Sequence, residues 1–96
     1  MRRVFREGRA IPGERVVVFL APGGGGVATV AGGKIGGAVQ RNRARRIIRA
    51  ALREAAPDGL PDRDMVVVAR PAIRGAKTRD LVEELGELLR RAGSLT

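Results

Sequence analysis

The chain has 96 residues, a mass of 10.2 kDa, and 19 Lys and Arg against 10 Asp and Glu, for a net charge of +9. That length is one small domain, residues 1–96, with a single modest core, and the charge points to an anionic partner. The sequence holds no Cys and no His, which removes disulfides, thiolate nucleophiles, the usual neutral-pH base and the commonest metal ligand, and so excludes hydrolysis by a Ser-His or Cys-His pair.

From the N-terminus, Arg2 to Glu7 is too short to hold as an isolated helix, with Gly8 as its stop. Pro12 and Gly13 mark a turn. Val16 to Leu20 is a β-branched apolar run of strand length. Pro22 and the glycines Gly23 to Gly26 then form a loop into a second strand, Val27 to Ala31. Small residues around Lys34 lead into a helical pattern from Ala38 to Ala56, closed by Pro57. Asp64 opens Met65 to Ala69, apolar on both faces and therefore a central strand, and Arg70-Pro71 ends it. Leu81, Val82, Leu85, Leu88, Leu89 and Ala92 recur on one face of a last helix, with acids in its first turns, Arg90 and Arg91 in its last, and Gly93 beyond. The order helix, strands, helix, strand, helix predicts an α+β fold, a small two-layer α/β sandwich. No run approaches the roughly 20 apolar residues of a membrane helix, and the N-terminus lacks a secretory apolar stretch, so a cytoplasmic protein with no membrane partner is expected.

The charge is uneven. Residues 1–56 carry twelve bases against three acids, whereas residues 57–96 carry seven of each. At about 100° per residue, Arg41, Asn42, Arg45, Arg46, Arg49 and Arg53 fall on one arc of the middle helix, opposite Ala44, Ile47, Ile48, Ala51 and Ala55. Arg43 points away from that arc and Leu52 lies at its boundary. A charged arc also suits a merely solvated face. Against that, these cations repel one another without an interleaved acid until Glu54, and Asn42 among them suits a directed hydrogen bond. A polyanion along a rigid helix answers both features. With Phe5 and Phe19 the sole aromatics, a sheet that reads RNA by stacking several bases is disfavoured. Ala28 to Lys34 has the spacing A-x-x-x-x-G-K of a phosphate loop, but Ile35 has no hydroxyl for a metal, so the small residues are better read as letting a nucleic-acid backbone approach Lys34. Asp58, Asp62 and Asp64 would serve a carboxylate-metal nuclease, yet they read as loop residues before a strand.

The run Lys34-Ile35-Gly36-Gly37-Ala38-Val39-Gln40-Arg41-Asn42-Arg43-Ala44-Arg45-Arg46-Ile47-Ile48-Arg49 closely resembles the K-x-G-x-A-V-x-R-N-x-x-K/R-R-x-x-R motif of the protein subunit of bacterial ribonuclease P. The resemblance extends along nearly the whole chain, with Val4-Phe5 and Gly8 similar to the end of the family's first helix, Phe19 to an aromatic strand position, and Val66 to Pro71 to its last strand. It implies a helix-strand-strand-strand-helix-strand-helix order with a left-handed βαβ crossover, where the general rule predicts the opposite hand. It further implies an RNA subunit that carries catalysis and binds most of the magnesium, no catalytic or metal-binding residue in this chain, and no small-molecule cofactor. The implied partners are that catalytic RNA and precursor tRNA, whose 5′ leader is removed. By matching positions, the RNA-binding residues are Lys34, Arg41, Asn42, Arg43, Arg45, Arg46, Arg49 and Arg53. Phe5, Val16 and Phe19 would form the leader-binding floor, although both phenylalanines also suit core filling. Gly32 and Gly33 stand where the family commonly has Ser and a basic residue. The family also usually has about a turn or more of helix before Val4-Phe5, so either the start site is misassigned or the first helix is short. A structural RNA-binding protein of the same fold, such as a ribosomal component, is the alternative.

Overall fold

A computed structural model describes residues 2–93. The elements run α1 (Arg2–Glu7), β1 (Arg9–Pro12), β2 (Val16–Pro22), β3 (Val27–Val30), α2 (Ala38–Ala55), β4 (Arg63–Ala69) and α3 (Thr78–Arg91), with short 3-10 turns at Gly33–Ile35 and Pro71–Ile73. The four strands form one sheet in the order β1-β2-β4-β3. β4 pairs antiparallel with β2, from Val16 opposite Ala69 to Pro22 opposite Arg63, and parallel with β3. The strand predicted to be central from its unbroken apolar run is therefore central. Parallel neighbours need a long connection, and α2 is the connection between β3 and β4.

β1 is the element that residue patterns alone did not supply. Its four residues, Arg-Ala-Ile-Pro, show no alternation, and Pro12 ordinarily signals a turn. An edge strand tolerates proline because one side of its backbone is outside the ladder. Ile11 opposite Val18 gives β1 its buried contact.

Strand parity sorts the sheet into two faces. Val16, Val18, Leu20, Met65 and Val67 point toward α2 and α3, and with Ile47, Ile48, Ala51, Leu81, Leu85 and Leu89 they make the main core. Each fully buried leucine of α3 contributes about 1.5–3 kcal/mol by leaving water, which is the physical cause of the apolar periodicity in its sequence. Phe19, Ala21, Val66, Val68, Ala28 and Val30 point to the opposite face, where Val4 of α1 packs on them. This contact holds a six-residue helix that could not persist alone. Gly8 closes α1, its N–H donating to the Val4 carbonyl at 2.7 Å, and a Cβ there would lie 2.1 Å from that oxygen. At α3, the Lys77 N–H donates to the Asp80 carboxylate at 2.9 Å, which satisfies the residue preceding the first turn.

A buried-end contact ties the β1–β2 turn to α3. Glu84 accepts from the Arg15 and Val16 backbone N–H groups through Oε2, at 2.8 and 3.1 Å, and from Arg15 Nη1 through Oε1 at 3.0 Å. Its side chain is only 10% exposed.

Candidate RNA interface

α2 is fixed in place by its inner stripe of Ala44, Ile47, Ile48, Ala51 and Leu52. The stripe commits the opposite side of the helix to solvent, and Asn42, Arg46, Arg49 and Arg53 are exposed there, with Arg41 and Arg45 half-buried beside them. The wheel reading thus becomes a surface: one rigid helix carries five cations and an amide along one side. Leu52, at the boundary of the arc, falls to the core.

The cations divide by what they touch. Arg41 Nη1 donates to the Gly36 carbonyl at 3.0 Å, which turns its guanidinium back over the start of the helix. Arg45 donates to Asn42 Oδ1, so Asn42 does make a directed bond, and it orients a neighbouring arginine while its own amide N–H groups remain available. Lys34, Arg46, Arg49 and Arg53 have no hydrogen bond or ion pair among the described residues. Like charges at three- and four-residue spacing on one helix destabilise it by a few tenths of a kcal/mol per pair. No acid stands in the first turn of α2 to offset this, and its N-cap, Gly37, offers no side-chain acceptor. Such an arrangement is relieved by an external anion.

Arg43, which the resemblance counts among the RNA-binding residues, lies apart from the arc as the wheel indicates, half-buried and bonded within the fold. Its Nη2 donates to the Ala76 carbonyl at 2.5 Å, tying α2 to the loop before α3. Lys34 is exposed in the 3-10 turn ahead of α2, and the next residue, Ile35, is 1% exposed in the core. The position after the lysine is thus an anchor and not a metal-binding hydroxyl, which ends the phosphate-loop reading. Gly36 follows with a φ of 133°, a conformation that requires glycine.

On the opposite face of the sheet, Phe5 and Phe19 meet edge to face, with ring centroids 4.8 Å apart and planes at 88°. Phe5 is 40% exposed, and Phe19 is half-buried over Val66 and Val68. Together they form an aromatic floor open to solvent. Val16 does not join it. Strand parity sends Val16 to the helix-covered face, where it is 0% exposed, whereas Val17 and Ala21 are the β2 residues that share a face with Phe19. That correction is a matter of one residue in a two-residue period.

Two further features were not legible from local sequence. Arg74, in a half of the chain with no net charge, sits beside the start of α2: a Cβ on Gly36 would come 3.9 Å from its Cζ. It adds an exposed cation near Gly36 because the two 3-10 turns touch. Asp64 accepts from the Gly26 N–H at 2.9 Å, so a carboxylate considered for metal chemistry holds the glycine loop. Among the described residues no three Asp or Glu side chains come close enough to hold a metal ion. No described helix is long and apolar enough to cross a membrane.

The family model of ribonuclease P matches residues 1–93. The chain belongs to the ribonuclease P protein family. It is 36% identical over 100 residues to the ribonuclease P protein component of Lactobacillus johnsonii, an alignment covering 99% of this chain and 82% of that protein. The same-named protein of Chloroflexus aurantiacus is 37% identical over 95 residues, covering 95% and 70%. Among solved structures, the RNase P protein of Thermotoga maritima superimposes with a TM-score of 0.76 at 26% identity, covering 92% of this chain and 86% of that one. The RNase P protein of Staphylococcus aureus gives 0.81 at 21% identity, over 99% and 90%, a likeness of fold. The ribosomal alternative is not favoured, since the family model and these relatives are all ribonuclease P proteins. As the protein component of a ribonucleoprotein endoribonuclease, the chain binds RNA and serves the 5′ processing of tRNA.

Proposed function

We propose that α2 binds the catalytic RNA of ribonuclease P through Arg41, Asn42, Arg45, Arg46, Arg49 and Arg53, with Lys34 beside them. The face carrying Phe5 and Phe19 receives the 5′ leader of precursor tRNA. The observation that carries this reading is the row of exposed guanidiniums with no acceptor among the described residues, on a helix whose inner stripe is anchored in the core. A duplex or folded RNA presents phosphates at a spacing a rigid helix can follow, and guanidiniums engage them in paired hydrogen bonds. Arg45, oriented by Asn42, and Arg41, turned onto Gly36, begin with part of their rotamer freedom already fixed, which lowers the entropy lost on binding. Arg43 braces the helix from its other side through Ala76. On the leader face, one exposed and one half-buried ring, set edge to face, provide an apolar rest on which a base or sugar can lie without sequence reading.

Magnesium, which supplies the Lewis-acid chemistry of the cleavage, is assigned to the RNA subunit. The chain's own contribution is to bind, orient and neutralise phosphate charge. The complex works in the cytoplasm.

Reconstitution tests the reading. The purified protein is added to ribonuclease P RNA from the same genome, and precursor-tRNA cleavage is followed at low magnesium. The expected result is faster cleavage at the mature 5′ end. A folded protein that gives no stimulation would overturn it.

A further inference from the structure

The second half of α2, strand β3 and the turn after α2 line an open groove of about 490 Å³. Thr29 and Val27 stand on the strand side, Arg49, Leu52, Arg53 and Ala56 on the helix side. The volume falls in the range of about 300–1,000 Å³ typical of clefts that take one small molecule. β3 is an edge strand, paired on one side with β4. Its other side leaves backbone N–H and C=O groups outside the ladder, a strip of donors and acceptors beside the cleft. Val27 is 54% exposed, while Leu52 and Ala56 are buried, so the apolar lining continues from the mouth to the floor. Arg49 and Arg53 stand at the rim without a partner among the described residues.

From this juxtaposition we infer that the groove takes a single unpaired nucleotide of the RNA partner, its base or sugar against Val27, Leu52 and Ala56, and its flanking phosphates on Arg49 and Arg53. The inference rests on the proposed RNA binding by α2, because both arginines belong to that arc. Charge and shape together select this occupant. A continuous duplex would meet the rim arginines and leave the apolar floor empty, whereas an extruded nucleotide matches cations outside and apolar surface inside. Guanidinium planes also stack on bases, which suits a pocket without an aromatic wall. An acidic peptide adding to β3 as a fifth strand would meet the same two cations. It would have a strand of four residues to pair with and would compete with the RNA on α2.

Because the chain has no cysteine, one introduced thiol is unique. Val27→Cys, at an exposed position, is coupled to a short photocrosslinker, and crosslinks in the complex with ribonuclease P RNA are mapped by reverse transcription. Asn42→Cys reports the arc and Glu83→Cys the exposed side of α3. The expected result is one dominant crosslink from position 27 to a nucleotide unpaired in the RNA, distinct from those of position 42, with none from position 83. Val27→Glu is expected to weaken RNA affinity about tenfold, by setting a carboxylate against the incoming phosphates. Crosslinks from position 42 with none from position 27, or a ladder of position 27 crosslinks along a paired segment, would overturn the groove inference and leave RNA binding by α2 intact. A position 27 thiol that stays freely alkylated in the complex, as expected of a groove reserved for a peptide, would overturn it as well. If the unmodified protein does not bind the RNA, the underlying reading fails instead.

Discussion

Replacing Glu84 with alanine removes the acceptor of three hydrogen bonds that join the β1–β2 turn to α3. Two come from backbone N–H groups of Arg15 and Val16, and the carboxylate that receives them is 10% exposed. Hydrogen bonds to a charged group contribute about 1.5–3 kcal/mol each when measured singly, and a buried amide left unpaired costs about 1–3 kcal/mol. The three share one carboxylate and do not add, and Arg15, 27% exposed, can return to water. A loss of about 3 kcal/mol is therefore expected for Glu84→Ala, out of a total stability of about 5–15 kcal/mol. For a domain of this length that is a fall in Tm of about 12–24 °C. Glu84→Gln keeps one oxygen acceptor and should lose roughly half as much. The seat is specific, since a Cβ on Gly13 would stand 2.5 Å from Glu84 Oε2 and 2.8 Å from a Leu88 methyl. Urea unfolding followed by circular dichroism measures the change, with the m-value expected to stay constant. A Glu84→Ala protein within 1 kcal/mol of the parent would refute the reasoning and mean that water replaces the carboxylate at little loss.

Gly86→Ala should stabilise the protein by about 0.5–1 kcal/mol, because Gly86 lies within α3 and an added Cβ meets only Arg90 Nη1 at 3.5 Å; a lower urea midpoint would show an unseen obstruction. Arg43→Ala should cost about 1–2 kcal/mol of stability by removing the donor to Ala76, and should leave the salt dependence of RNA binding unchanged; a reduced slope would move Arg43 into phosphate contact. Phe5→Ala should weaken binding of leader-bearing precursor tRNA to the assembled enzyme by about tenfold and leave leaderless tRNA unaffected; equal losses for both would remove Phe5 from the leader face.

The parts of this molecule legible in sequence are those whose cause is local. Leu81, Leu85, Leu88 and Leu89 define α3 because burial repeats with the helical period, and Met65 to Ala69 is apolar on both faces because α2 and α3 cover one face of β4 while Val66 packs with Val4 and Val68 lies half-buried on the other. The arc of α2 is legible for the same reason, since five cations and an apolar stripe share one helix. What failed to show depends on partners distant in the chain. β1 exists through its pairing with β2, and its own four residues announce a turn as readily as a strand. The resemblance puts Val16 on the leader floor, but a residue's face follows from strand parity and from which sheet face α2 and α3 cover, and no local pattern reveals that. Glu84 and Arg15 are 69 residues apart, and no spacing rule connects them. Arg74 was hidden by the neutral balance of residues 57–96 and is revealed only where two 3-10 turns come together.

The central claim is that unpartnered arginines on α2 neutralise RNA phosphates, and the salt dependence of affinity measures that directly. Binding of ribonuclease P RNA is followed as ionic strength is raised, for the parent and for the double variant Arg46→Ala/Arg49→Ala. Each lost phosphate contact reduces the slope of log K against log salt by about 0.7–0.9, so the double variant should be shallower by about one and a half to two units. An unchanged slope, with the variant fully folded, would contradict the account.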